Sequence, residues 1–158
     1  MKKLFIVTLS LGLTASRLQA QDKASDLAIV VNKASALEAV TSDELAKIFR
    51  AEKAKGPDGK KFVLAVPATG TPERSAMLTG VYSLDEAGYG KYFLQATFVG
   101  QVQSAPKQLS GGAALCGFAG STAGGITCVR ASEVTDAVKV VKVDGHAPGE
   151  ADYKLKIK

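Results

Sequence analysis

The chain has no tryptophan, one histidine and two cysteines in 158 residues, and only 6% of it is aromatic. His146 stands in a Gly/Pro turn, DGHAPGE, with neither a second imidazole nor clustered carboxylates beside it. Metal and histidine-triad chemistry both need such partners, so His146 reads as a solvent-facing loop residue and no metal site is expected. Ser121-Thr122 in AGSTAGGIT has a glycine-rich setting but lacks the Gly-Lys-Ser/Thr ending of a phosphate-cradling P-loop. No catalytic constellation is found, no cofactor is implied, and a non-enzymatic role is expected. A nucleic-acid partner is not expected either, because the chain carries neither a concentrated basic patch nor aromatic platforms.

Long apolar runs are also scarce. The one near the N-terminus, Leu4 to Leu13, follows Lys2 and Lys3 and precedes Leu18-Gln19-Ala20, a small-residue ending suited to a signal peptidase. The run is too short to span a bilayer comfortably. Residues 1–20 therefore read as a cleavable export signal, which places residues 21–158 in the periplasm with no stable membrane insertion afterwards. Losing Lys2, Lys3 and Arg17 lowers the formal charge from +5 to +2, so much of the basic character belongs to the leader. The remaining 138 residues suit one domain, and no Pro/Ser-rich linker or internal repeat divides them.

Cys116 and Cys128 form an even pair in a chain expected to leave the cytosol. A disulfide is the first reading in an oxidising compartment, where closing so short a loop would stabilise the fold by about 3 kcal/mol. Two buried free thiols are the alternative.

Along the chain, strand and helix patterns alternate. Leu27 to Val31 is a continuous apolar run that predicts a buried central strand. Thr41-Ser42-Asp43-Glu44 has capping-box spacing, and Leu45, Ile48 and Phe49 then share one helical face. Gly56-Pro57-Asp58-Gly59 is turn chemistry, and Phe62 to Val66 predicts a second strand. Ser83-Leu84-Asp85-Glu86 is read as a further capping box opening a helix that carries Tyr89, Tyr92, Phe93 and Ala96 toward the core. Ala113 to Ala119, Ile126 to Arg130 and Val138 to Val143 read as strands, the last at a sheet edge guarded by lysines. The fold class is α/β, a mixed sheet flanked by helices.

Between the second strand and its helix lies VPATGTPERSAML, Val66 to Leu78. Thr71 is a good N-cap and Pro72 suits the first helical position, so capping alone explains the stretch. It also has the features of an anion seat: Gly70 permits close backbone approach, Thr69 and Thr71 offer hydroxyls, and a helix N-terminus favours negative charge. Arg74 in the first turn has two readings, an anion ligand or an ordinary surface ion pair with a neighbour such as Glu73 or Glu44.

The segment LAIVVNKASALEAVTSDELAKIFRAEKAKGPDGKKFVLAVPATGTPERSAM resembles the core of phosphate-type periplasmic substrate-binding proteins of ABC transporters. FVGQVQSAP, GGAALCGFAG and VKVVKVDGHAPGEADYKL are similar to later stretches of that family, in the same order. The resemblance implies a lobe of the type II periplasmic-binding-protein fold, in a short form without a counterpart to most of the first lobe. It also implies that Thr69, Gly70 and Thr71 are ligand-binding residues, with Arg74 the nearest candidate for the cationic partner. Expected partners are phosphate or another small oxyanion, and an ABC transporter permease or another envelope protein. The phosphate binders carry an Arg and an Asp four and two residues before the loop's Ser/Thr, where this chain has Ala65 and Pro67. Two functions follow: weak oxyanion binding by an exported solute-binding-like protein, or a periplasmic interaction module that reuses the fold without a ligand.

Overall fold

A computed structural model describes residues 24–158. The export signal expected at residues 1–20 lies outside the described residues. The strands, in chain order, are β1 (Leu27–Asn32), β2 (Ala39–Val40), β3 (Val63–Pro67), β4 (Lys107–Leu109), β5 (Gly125–Arg130) and β6 (Val138–Val143). The α-helices are α1 (Ser42–Phe49), α2 (Pro72–Met77), α3 (Glu86–Phe98) and α4 (Gly112–Ser121). The strands form one mixed sheet in the order β2-β6-β1-β5-β3-β4. β1 runs antiparallel to both neighbours, whereas β3 is parallel to β5 and β4.

The apolar run Leu27–Val31 is fully buried because both sheet faces are covered. Its odd members, Leu27, Ile29 and Val31, enter a large core with α1, α2, α3 and the C-terminal residues Tyr153, Leu155 and Ile157. Ala28 and Val30 point the other way, into a smaller core with Leu115, Cys116 and Ala119 of α4. The period-two alternation of a strand thus divides the protein into two apolar layers about one sheet.

The capping box at Thr41 forms as expected, with Glu44 N–H donating to the Thr41 hydroxyl at 3.1 Å and Thr41 N–H to the Glu44 carboxylate at 3.3 Å. Its apolar face, Leu45, Ile48 and Phe49, is buried. The third helix starts two residues later than the spacing of Ser83 and Glu86 suggests. Residues Leu78–Tyr82 form a π-type turn, Ser83 takes a left-handed conformation (φ 53°), and Asp85 becomes the cap, accepting from Gly88 N–H at 2.7 Å. The wide turn carries Tyr82 inward, where its hydroxyl donates to the Phe49 carbonyl and its ring lies edge-on to Tyr89 at 5.0 Å. Tyr89, Phe93 and Ala96 are buried as the helical spacing requires.

Three readings are corrected. Ala113–Ala119 is helical, within α4, because this apolar run has no β-branched residue and is rich in the helix-favouring Ala and Leu. Its C-terminal carbonyls are gathered by Asn32 Nδ2, which donates to Gly120 O at 2.8 Å and Ala119 O at 3.2 Å. β6 is not at the edge, since the two-residue β2 pairs with Lys142 and Val143 and takes the outer place. Cys116 and Cys128 are both free and buried. Cys116 lies on α4 in the smaller core and Cys128 on β5 in the larger one, so the sheet stands between them. Their separation along the chain fits a bridge, but α4 packs on one face of the sheet and Cys128 points to the other.

Candidate functional site

β3 delivers the chain at Pro67 to the loop 68–71, and α2 leaves from it. Gly70 takes φ 86°, a conformation that favours glycine, and space for a Cβ above it is open. Thr71 caps α2: its hydroxyl donates to Ala68 O at 2.8 Å and accepts from Arg74 N–H at 3.2 Å, and Pro72 occupies the first helical position. Thr69 is turned toward β4, where its hydroxyl donates to Gln108 Oε1 at 3.1 Å. The Thr69 hydroxyl, the Thr71 hydroxyl and the Arg74 amide therefore all have protein partners.

Arg74 differs from both sequence readings. It forms an ion pair, but a buried one, and with Glu86, which lines the hollow beside Thr69 and Gly70. It lies three residues before Met77 and four before Leu78, on the face of α2 that enters the larger core, and only 1% of it is exposed. Its guanidinium makes a fork on Glu86, with Nε donating to Oε2 at 3.1 Å and Nη2 to Oε1 at 2.7 Å. Its Cζ sits 4.0 Å from the centre of the Tyr89 ring. Burial is the largest influence and opposes the guanidinium's charge, but the Glu86 hydrogen bonds and charge together with Tyr89 outweigh it, leaving the pKa above its ordinary value. The same hydrogen bonds hold the Glu86 carboxyl below the usual carboxylate range. A two-oxygen acceptor is the geometry an arginine fork presents to a phosphate, and here a carboxylate of the same chain fills it. Among the described residues, Arg74 Nη1 and the Tyr89 hydroxyl, both buried, have no partner at good hydrogen-bond geometry, and each faces the other's side chain.

The two neighbours expected for Arg74 are engaged elsewhere. Glu73 pairs with Arg130, whose Nε donates to it at 2.9 Å, and Glu44 pairs with Lys53 at 3.0 Å. The loop separates two hollows. One of about 130 Å³ lies between Pro67, Thr71, Gly112 and the carboxylates Glu73 and Glu133. Glu133 crowds the start of α4 so closely that a Cβ on Gly112 would stand 2.7 Å from its Oε2. The other, about 420 Å³, lies between Thr69, Gly70 and Thr79 and includes Asp85 and Glu86. Each hollow carries two acidic residues, of which Glu73 and Glu86 are paired with Arg130 and Arg74.

The structure thus brings Thr69, Gly70 and Thr71 together as one exposed loop and turns Arg74 beneath it. Glu86, Gln108 and Glu133 were not found from the sequence. Glu86 stands twelve residues after Arg74 on another helix, and no local spacing links them. The position of Arg74 itself was readable, because it shares helical spacing with Met77, Leu78 and Val81.

Similarity to solved structures runs across this architecture. An ABC-type phosphate transport receptor from Vibrio cholerae superposes with a TM-score of 0.63 at 14% identity, over 78% of this chain and 48% of that one. A proposed phosphate ABC transporter substrate-binding protein with bound phosphate from Clostridium perfringens gives 0.63 at 17%, over 87% and 54%. PstS from Borrelia burgdorferi gives 0.57 at 14%, over 88% and 57%. The chain spans about half the length of these structures. No protein-family model and no curated protein matches it. At such identities the likeness establishes the fold: an α/β unit of the kind found in phosphate-transport substrate-binding proteins.

Proposed function

We propose that this chain is an exported, non-enzymatic relative of substrate-binding proteins that acts by contacting another envelope protein rather than by tight capture of an oxyanion. One observation carries the reading: the Arg74 fork, the group best suited to clamp phosphate, is closed on Glu86 and buried. The places from which phosphate binders supply their clamp hold Ala65 and Pro67, both buried in β3 and both without a charge. Among the described residues no helix is long and apolar enough to cross a membrane, and export itself rests on the leader at residues 1–20.

Weak oxyanion binding at Thr69, Gly70, Thr71 and Arg74 is the competing reading, favoured by the open space above Gly70. Calorimetric titration of the mature protein with phosphate, sulfate and molybdate separates the two. Absence of saturable heat at millimolar anion supports the interaction module. Saturable heat that is lost in Thr71→Ala supports the solute binder.

A further inference from the structure

The largest hollow, about 680 Å³ at the far end of β3, is bordered by Lys61 and Lys107. The most exposed apolar side chains lie elsewhere, on α3. Among the described residues the large hydrophobics that stand exposed are Val63, Leu94, Phe98 and Val99, and the last three fall together at the end of that helix, so they form one patch rather than scattered contacts with water. Phe98 is 90% exposed and Leu94 74%.

α3 has two apolar faces. Tyr89, Phe93 and Ala96 are buried, whereas Ala87, Gly90, Leu94 and Phe98, at spacings of three and four, lie on the opposite side and are exposed. On a helix surface, residues at i, i+3, i+4 and i+7 enclose the hole into which a facing helix inserts a side chain, and here they are Ala87, Gly90, Lys91 and Leu94. A Cβ on Gly90 would meet nothing within 4 Å, so no close approach inside the chain accounts for a glycine in mid-helix, where it is destabilising relative to alanine. Alanine and glycine leave the hole open.

The pattern is self-complementary. When two copies of α3 lie antiparallel about a two-fold axis at Leu94, the residue four places after the axis on one copy stands level with the residue four places before it on the other. Phe98 of each copy then enters the hole at Gly90 of its counterpart, and Leu94 meets Leu94. Lys91, the one charged residue of the stripe, borders the hole, where its stem covers the Phe98 ring while its ammonium stays in water. The antiparallel arrangement also sets the positive N-terminal end of each helix beside the negative C-terminal end of the other. A lipid surface fits less well, because helices that lie on membranes flank the apolar face with several cations.

We propose that α3 is a self-association surface, on which two copies of this chain pair antiparallel with Phe98 of each seated between Ala87 and Leu94 of the other. The inference goes beyond the interaction-module reading: it requires no foreign partner and holds whether or not the Thr69–Thr71 loop takes an anion. The stripe covers about 500 Å² on each copy, about 1,000 Å² in the pair, which is the lower bound for a specific interface. The dimer is accordingly weak, with Kd about 10–100 μM.

Sedimentation equilibrium of the mature chain, residues 21–158, from about 1 μM to about 1 mM tests it. The expected result is a monomer–dimer equilibrium, with amide resonances of residues 87–101 shifting as concentration rises. Leu94→Asp, at an exposed position, places two carboxylates on the axis and should weaken pairing at least about tenfold. Gly90→Leu separates a fitted contact from general stickiness. It adds apolar surface and helix propensity, so the thermal midpoint of the dilute protein should rise, yet it fills the hole and should weaken the dimer about tenfold.

Association that Gly90→Leu strengthens, that Leu94→Asp leaves unchanged, or that shifts resonances on another face overturns the assignment. A monomer throughout the range overturns it as well. If that monomer is retained on anionic phospholipid vesicles, or crosslinks to another envelope protein, and loses the contact in Phe98→Ser, the patch is a membrane or foreign-protein surface instead.

Discussion

Replacing Glu86 by alanine and Arg74 by methionine should have unequal consequences, although both delete the same ion pair. Arg74 is 1% exposed, so Glu86→Ala leaves a guanidinium in the core with neither carboxylate oxygen to accept from Nε and Nη2. Breaking a buried pair from one side commonly costs about 3–5 kcal/mol. The Glu86 side chain is 45% exposed, so water can reach part of the vacated space, and we expect about 2 kcal/mol instead. In a domain of this size that corresponds to a fall in Tm of about 6–10 °C. Arg74→Met removes the buried charge together with its desolvation, keeps an unbranched stem beside Met77, and leaves a thioether over the Tyr89 ring. Glu86 then returns to solvent, and the net change should stay within about 1 kcal/mol. Urea denaturation with linear extrapolation measures both, and the double variant should resemble Arg74→Met because the second substitution then acts on a carboxylate without a partner. Equal or greater destabilisation by Arg74→Met would refute the reasoning, since the clamp would then contribute net stability rather than being an internally satisfied cation.

Three further outcomes follow from the same coordinates. Gly124→Ala should destabilise by about 3 kcal/mol or more, because Gly124 has φ 76° and a Cβ there would stand 2.0 Å from the Lys61 carbonyl; a denaturation midpoint close to wild type would contradict it. Cys116 and Cys128 should both be unreactive toward a thiol reagent in the native protein and both titrate after denaturation without reductant, whereas a bridged pair would release none. Glu86, Glu44 and Asp144 have carboxyls held below their ordinary values, by Arg74, Lys53 and Ser42 respectively. Their contribution is complete above the unfolded values of 4.5 and 3.8 and is lost as pH falls through the lower folded ones, so denaturation midpoints should be flat above about pH 5 and drop below it. A midpoint that rises on acidification would contradict these assignments.

Much of the fold was legible because its signals are local. The continuous run Leu27–Val31 declares a strand covered on both faces, and the Thr41 and Thr71 caps declare their helices through bonds made within one turn. Ala113–Ala119 was misread because an apolar run without charges has no periodicity to separate strand from helix. The true start of α3 was hidden by the π-type turn at Leu78–Tyr82, which moves the cap from Ser83 to Asp85. The site was least legible of all. Thr69, Gly70 and Thr71 form the loop their types suggest, but what decides its chemistry is Glu86 on α3, Gln108 on β4 and Glu133 after β5. These contacts are set by how elements pack, and no spacing along the chain encodes them.

The structure also distributes charge in a consistent way. Carboxylates border the loop that resembles an anion seat, and Glu73 and Glu86 among them are each paired with an arginine, while lysines border the hollow at the far end of β3.

Calorimetric titration of the mature protein with inorganic phosphate, performed beside Glu86→Ala under identical conditions, addresses the closed Arg74 fork most directly. The expected result is no saturable heat for the wild-type protein at millimolar phosphate, with any weak binding confined to the variant whose guanidinium has been released. Saturable binding by the wild-type chain, unchanged when Glu86 is removed, would contradict it.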